Sequence, residues 1–211
     1  MICEAPSVAP TEVPQLESAR LRLRPWRQAD VPAYATIIAD PEVMRFMGNG
    51  PRYRVKRVAA WAVALGSDVE ARRAVRRLQR RWERWGFGEW AAEEKASGRL
   101  LGRIGFMHHP DWPVGSAKVE IGWSLARHAW GRGLATEGAV VALDHAFGQL
   151  DLERVISIAH LENARSQRVM EKLGMARQGE VRWRGGDMVW YTIDRDAWLA
   201  ARQPAAAVAQ R

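Results

Sequence analysis

Residues 123–139 read W-S-L-A-R-H-A-W-G-R-G-L-A-T-E-G-A, and their order decides the fold. An apolar strand, Val119 to Leu125, gives way to a short turn carrying Gly131 and Gly133, and from Leu134 to Phe147 apolar residues recur at helical spacing. Strand, glycine turn and helix in that order make a place for phosphate. The glycines let the backbone approach a ligand with no Cβ in the way. The first N–H groups of the helix lack partners and stand at the positive end of its dipole. Arg132 either adds a charge there or faces solvent. Alone, a G-x-G turn is equally well a tight connection between strand and helix. A dinucleotide-binding fingerprint would need glycine where Thr136 stands, and no G-x-x-x-x-G-K-[ST] occurs, so neither the Rossmann nor the P-loop reading fits.

Upstream, R-L-R-L-R-P-W at 20–26 alternates with period two as a strand until Pro25 stops it. Asp30 is the expected N-cap of a helix from Val31 to Ala39, with Pro32 in its first turn. From Lys56 to Trp85 the pattern is helical, with Ala71, Val75, Leu78, Trp82 and Trp85 forming an apolar stripe, and Gly66-Ser67 is expected to divide it in two. Seven arginines between 72 and 84 give this helix a basic face, either solvated or touching phosphates. After G-F-G, Glu89 to Glu93 and Leu100 to Phe106 read as a hairpin turning at Ala96-Ser97-Gly98. Downstream come a buried strand, Val155 to Ala159, and a helix, Ala164 to Leu173. A closing hairpin follows, with Val181 to Trp183 and Met188 to Ile193 around Gly185-Gly186-Asp187, and then a short helix capped by Asp196. This alternation implies an α/β sheet in one domain over 16–202. Pro6, Pro10 and Pro14 make 1–15 an expected flexible extension, and 203–211 an expected flexible tail.

The 211 residues are 47% hydrophobic, with no apolar run approaching the roughly 20 residues that span a bilayer. The N-terminus lacks a basic and apolar leader, so a cytoplasmic, membrane-free protein is expected. The one cysteine, Cys3, offers no disulfide framework and argues against an acyl-cysteine intermediate. A net charge of +8 favours acidic partners: nucleic acid, a polyphosphate-bearing cofactor or an acidic substrate. Eleven tryptophans interleaved with arginines would suit RNA stacking, yet most fall at periodic core-like positions, so nucleic acid is the lesser reading.

About thirty residues beyond the glycine turn lies L-E-N-A-R-S-Q-R-V-M-E-K-L-G-M, residues 161–175. H-A-W-G-R-G-L-A-T-E followed by N-A-R-S-Q-R-V-M-E-K-L-G-M resembles the GNAT superfamily of N-acyltransferases, in particular its RimJ/RimL-type branch of N-terminal acetyltransferases. R-L-R-L-R-P-W and the G-F-G-E-W-A and L-L-G-R-I-G-F hairpin are similar to that branch too. The resemblance covers roughly residues 16–200. It implies a mixed, mostly antiparallel twisted sheet flanked by helices, splayed between the family's fourth and fifth strands, with acetyl-coenzyme A as cosubstrate, no metal, and a monomer or homodimer. By the same resemblance the pantetheine arm pairs with Trp123, Ser124 and Leu125. The backbone N–H groups from Trp130 through Gly131, Arg132, Gly133 and Leu134 to Ala135, with Thr136 beyond, hold the pyrophosphate. His128 stands where the family has Arg or Gln. Asn163, an N-cap by its own chemistry, would bond the pantetheine arm. Ser166 would lie near the sulfur, as proton donor to the thiolate or as an ordinary first-turn residue. Gly174 and Met175 read as a helix stop.

Acyl transfer to an amine needs a group to take the amine proton and donors for the oxyanion. Glu120 leads as the base, since strand alternation puts it on one face with Gly122 and Ser124; a surface pair with Lys118 is the plainer alternative. His108, His109 and Asp111 come second. The acceptor is a primary amine, on a protein N-terminus or a small molecule. A succinyl donor is the alternative within the fold, and a non-catalytic acyl-coenzyme A or RNA-binding module the alternative outside it.

Overall fold

The computed structural model describes residues 12–47 and 60–202, with the side chains of 60–67 left aside. The expectations for 1–11, for Cys3, for the start of the long helix at Lys56 and for the tail after 202 lie outside the described residues.

Eight strands form one sheet: β1 (Leu16–Glu17), β2 (Leu21–Arg24), β3 (Glu89–Glu94), β4 (Leu100–His108), β5 (Val119–Leu125), β6 (Arg154–His160), β7 (Ala176–Trp183) and β8 (Gly186–Asp194). Their order is β1-β2-β3-β4-β5-β6-β8-β7, and every neighbouring pair is antiparallel except β5 and β6. That one parallel pair bridges only at Glu120 and Ile156. The mixed sheet is the one expected, and its parting lies between the strands named Val119–Leu125 and Val155–Ala159 above.

Alternation gives each strand two different faces. On one, Leu101, Ile104, Phe106, Ile121, Leu125 and Val155 are buried with Leu134, Ala142, Leu143 and Met170 from α4 (Leu134–Gly148) and α5 (Ala164–Lys172). On the other, Ala91 joins Val31, Tyr34, Ile37, Ala71, Val75 and Leu78 from α1 (Val31–Ala39) and α3 (Ala60–Trp85). A four-residue α2 (Pro41–Met44) and a C-terminal α6 (Arg195–Arg202) complete the described elements.

Five details correct the sequence reading. First, α3 runs unbroken through Gly66 and Ser67. An interior glycine costs about 1 kcal/mol relative to alanine, too little to break a helix of 26 residues packed along one side. Second, Asp30 holds the N-cap position of α1 as expected, but its side chain makes no capping bond to the helix. Its carboxylate accepts the Arg27 N–H (2.7 Å) and both terminal nitrogens of Arg24 (2.8 and 2.7 Å). Arg24 also reaches Glu93 at 2.6 Å, so a buried guanidinium and two carboxylates tie β2, β3 and the start of α1. Third, the last hairpin turns one step early. Trp183 pairs with Gly186, leaving Arg184 (φ 49°) and Gly185 (φ 81°) as a two-residue turn whose left-handed backbone matches the strand twist. Fourth, Asp196 lies inside the first turn of α6 instead of capping it. Fifth, within the stretch expected to be an extension, Val13 packs on the core and the Pro14 carbonyl accepts the Trp90 indole N–H at 2.7 Å.

The stop after α5 is as expected. Gly174 has φ 74°, its N–H donates to Glu171 O, and Met175 N–H reaches back to Met170 O, which satisfies the last carbonyls while Met170 and Met175 enter the core.

Candidate active site

The glycine turn before α4 has the backbone that its sequence implies. Gly131 (φ 73°) and Gly133 (φ 77°) both take the left-handed backbone that side chains resist, and Gly133 serves as N-cap of α4 without any side-chain cap. The first helical bond is Glu137 N–H to Gly133 O. Among the described residues, no partner is found for the N–H groups of Gly131, Arg132, Gly133, Leu134, Ala135 or Thr136. Six successive N–H groups without a protein partner, the first three in an exposed turn and the rest at the N-terminus of a helix, are an arrangement that suits an anion. Trp130 differs from expectation: its N–H is already donated to Arg127 O, closing a turn of 3-10 helix.

The side chains around the cradle are held in place. Trp130 donates its indole N–H to Leu125 O at 2.7 Å, and the Arg165 guanidinium lies 4.6 Å over its ring, bringing the start of α5 against the cradle. Arg132 is turned away to Glu94 (2.6 Å), and Arg127 to Asp40 (3.1 Å). His128 is exposed. Glu137 accepts from Ser18 Oγ, Arg20 N–H and the Arg20 guanidinium, which locks the first turn of α4 to the sheet edge. Burial would push the Glu137 carboxyl up, but these donors outweigh it and hold it below the usual range. Arg165 and the Trp130 indole escape sequence reading, because both act through contacts between distant segments. The only sequence signal is an arginine two residues after Asn163.

The parting of the sheet is lined by backbone. Ala126 N–H bonds Leu101 O and His109 N–H bonds Lys118 O, so Arg103–Ser124 is a bonded pair across β4 and β5 while Gly102–Leu125 and Ile104–Trp123 are not. Ile121, Trp123 and Leu125 therefore turn their N–H and C=O groups toward β6. Ser157 Oγ donates to Ile121 O at 2.9 Å and closes the parting at that level. Beyond it, Trp123 and the Leu125 N–H are open. Ser124, by contrast, spends its backbone groups on Arg103.

At the parting's far side, Asn163 caps α5 by accepting the Ser166 N–H at 3.2 Å. Ser166 is half-buried, and its hydroxyl has no partner among the described residues.

Glu120 lies on the face of α1 and α3, buried, with Oε1 4.0 Å from where a Cβ on Gly122 would be. Its Oε2 is 2.5 Å from His109 Nε2, so the surface pair with Lys118 does not form. Lys118 instead donates to the carbonyls of Trp112 and Gly115. His108 points to the opposite face against Trp85, ring centroids 4.3 Å apart. Burial pushes the His108 imidazole down, helped by His109, Arg84 and Lys118. Asp111 is held below the usual carboxylate range by the Arg184 guanidinium. Of the residues singled out beforehand, the structure thus joins Glu120 to His109 and leaves His108 and Asp111 apart. A cavity of about 640 Å³ between α1 and the start of β4, touching Arg127 and His128, opens beside the cradle and not over Glu120.

A sheet parted beside a six-donor cradle, with a carboxylate at the closed end of the parting, defines an acyltransferase that draws on a coenzyme A thioester. The chain belongs to the GNAT family: residues 20–176 match its acetyltransferase (GNAT) domain. YkkB of Bacillus subtilis (strain 168) is 29% identical over 162 residues, spanning 76% of this chain and 84% of that protein. The acetyltransferase of Agrobacterium tumefaciens strain C58 superposes with a TM-score of 0.67 at 28% identity, covering 89% of this chain and 98% of its own. Mycobacterium smegmatis RimJ in complex with CoA-disulfide shares the fold, with a TM-score of 0.64 at 18% identity over 89% of this chain and 93% of that one. Among the described residues no helix is long and apolar enough to cross a membrane.

Proposed function

We propose that this enzyme transfers an acetyl group from acetyl-coenzyme A directly to a primary amine on a protein N-terminus or a small molecule, with Glu120 as general base and Ser166 beside the departing thiolate. The observation that carries the reading is the run of six open N–H donors from Gly131 to Thr136 at the mouth of the parting. These donors and the dipole of α4 suit the pyrophosphate. Trp123 and Leu125 can pair with the pantetheine amides as a strand would, which lays the thioester toward Gly122 and Glu120. Glu120 takes a proton from the amine, the amine attacks the carbonyl, and the tetrahedral intermediate expels the thiolate. Direct attack of the amine on the thioester needs no acyl-enzyme. The fold's arginines also leave a succinyl donor in play.

A binding-module reading finds less support. Trp26, Trp82, Trp90, Trp112 and Trp198 are buried in the core, where they cannot stack on bases, and on α3 Arg72, Arg77 and Arg81 are engaged with Asp68, Glu70 and Glu89.

The direct test is a matrix of acyl-coenzyme A donors against amines and N-terminal peptides, read by free thiol. Acetyl-coenzyme A with at least one primary amine should release thiol in step with acylated product; thiol release without an acylated amine would overturn the transfer. Within that assay, Ser166→Ala should lower kcat by about 10- to 1,000-fold with little change in KM for acetyl-coenzyme A, because a donor to the leaving sulfur matters only in the transition state. Wild-type kcat in a stable Ser166→Ala protein removes Ser166 from the mechanism.

A further inference from the structure

We propose that His109 is the positioning residue for Glu120: its Nε2–H donates to one carboxylate oxygen and thereby presents the other to the acceptor amine. This rests on Glu120 being the base.

An ionised carboxylate only accepts hydrogen bonds, so the hydrogen in the 2.5 Å contact between Nε2 and Oε2 belongs to the imidazole. Both side chains are buried, which makes the contact one that water does not replace. The ring is fixed from several sides. The His109 N–H donates to Lys118 O (2.8 Å), its carbonyl accepts from Trp112 N–H (3.1 Å), and Trp183 meets its ring edge-on with centroids 4.9 Å apart. Trp183 packs in turn on Trp112 at 5.0 Å, and Arg184 grips Asp111 through two bonds of 2.8 and 3.0 Å, so the β7–β8 hairpin clamps the loop that carries His109. No other side chain among the described residues bonds either oxygen of Glu120. Oε1 has no hydrogen-bond partner among the described residues and lies beside Gly122, where the Met107 methyl, 2.8 Å from the place a Cβ would take, covers it and would move aside for the amine.

His108 precedes His109 and faces the other side of β4, with Arg84 of α3 and the Lys118 ammonium in its field. Lys118 itself is bonded to backbone carbonyls. Arg103 is bound to Glu89 at 2.5 Å, and Asp111 and Arg184 are bound to each other. None of them supplies the donor that His109 supplies.

In the step itself, an N–H bond of the acceptor ammonium breaks, its proton forms an O–H bond at Oε1, and the freed lone pair attacks the thioester; as the tetrahedral adduct expels the sulfur, the nitrogen gives up a second proton, which leaves with the sulfur as the free thiol. The Nε2–H bond of His109 stays intact throughout. The carboxylic acid afterwards returns its proton to water.

Two measurements decide the matter. In the full-length protein labelled with 15N-histidine, His109 Nε2 should be protonated at neutral pH; an unprotonated Nε2 with the proton on Nδ1 overturns the proposal. In steady-state kinetics with acetyl-coenzyme A and the best amine from the panel, His109→Phe should lose about 10- to 100-fold in kcat/KM for the amine. KM for acetyl-coenzyme A should hold. His109→Gln, which keeps an N–H donor, should recover most of the loss. A folded His109→Phe with undiminished kcat/KM for the amine overturns the proposal, and so does a folded His109→Gln as impaired as His109→Phe. Should the Phe variant fail to fold, a folded His109→Gln that has lost about 10-fold or more does the same. If no amine is acylated at all, the transfer reading falls while the nitrogen spectrum still decides the role of His109.

Discussion

Glu120→Gln is expected to lower kcat by about 10²- to 10⁴-fold, the range of a lost general base. The substitution is nearly isosteric, and the amide oxygen can still accept the His109 Nε2–H, so the 2.5 Å contact and the buried shape survive. What disappears is the ability to take a proton. Melting temperature and KM for acetyl-coenzyme A should therefore stay close to wild type, since the cradle at Gly131 to Thr136 lies at the other end of β5. Steady-state kinetics and thermal melting on one preparation check it, and a folded variant with undiminished kcat means that another group takes the proton.

Gly131→Val should reduce coenzyme A affinity by about 100-fold or more, equivalent to about 2.7 kcal/mol. A Cβ at Gly131 meets nothing in the protein within 4 Å, so no clash within the fold is at stake. Two other effects are. At φ 73° a β-branched residue is strained, which drives the turn out of shape, and the new methyls stand on the exposed side where the anion approaches six N–H groups. Gly148→Ala is the control, because position 148 closes α4 at its other end and its Cβ also meets nothing. Calorimetry on folded Gly131→Val showing unchanged affinity would remove the cradle from the coenzyme A site.

Local rules made much of this molecule readable. Period-two stretches became β2, β4 and β5, the glycine turn took its left-handed backbone, and Asn163 and Gly174 bracket α5 as their chemistry dictates. What escaped depends on partners far away in sequence. Gly66-Ser67 looks like a break until the rest of α3 is packed on α1 and the sheet. Asp30 looks like a cap until Arg24 comes within reach from β2 and outbids the helix for its carboxylate. Glu120 and His109 were each legible as candidates. Their union was not, because it needs the β4–β5 loop to fold back over eleven residues and the β7–β8 hairpin to press Trp183 against it. The backbone direction of Ser124 is likewise set by register, which a composition of apolar and polar residues does not specify.

The single bridge between β5 and β6 has a consequence for the protein's persistence. Two antiparallel ribbons, one of five strands and one of three, share a seam with few bonds of its own. If cosubstrate lies in that seam, as proposed, occupancy and cohesion become one linked equilibrium. A ligand held only by the closed sheet adds about 2.7 kcal/mol at a hundred times its dissociation constant. Resistance to proteolysis would then track the supply of acyl donor, so a cell short of activated acetate would keep less of this catalyst, by the arithmetic of mass action and without any dedicated regulator.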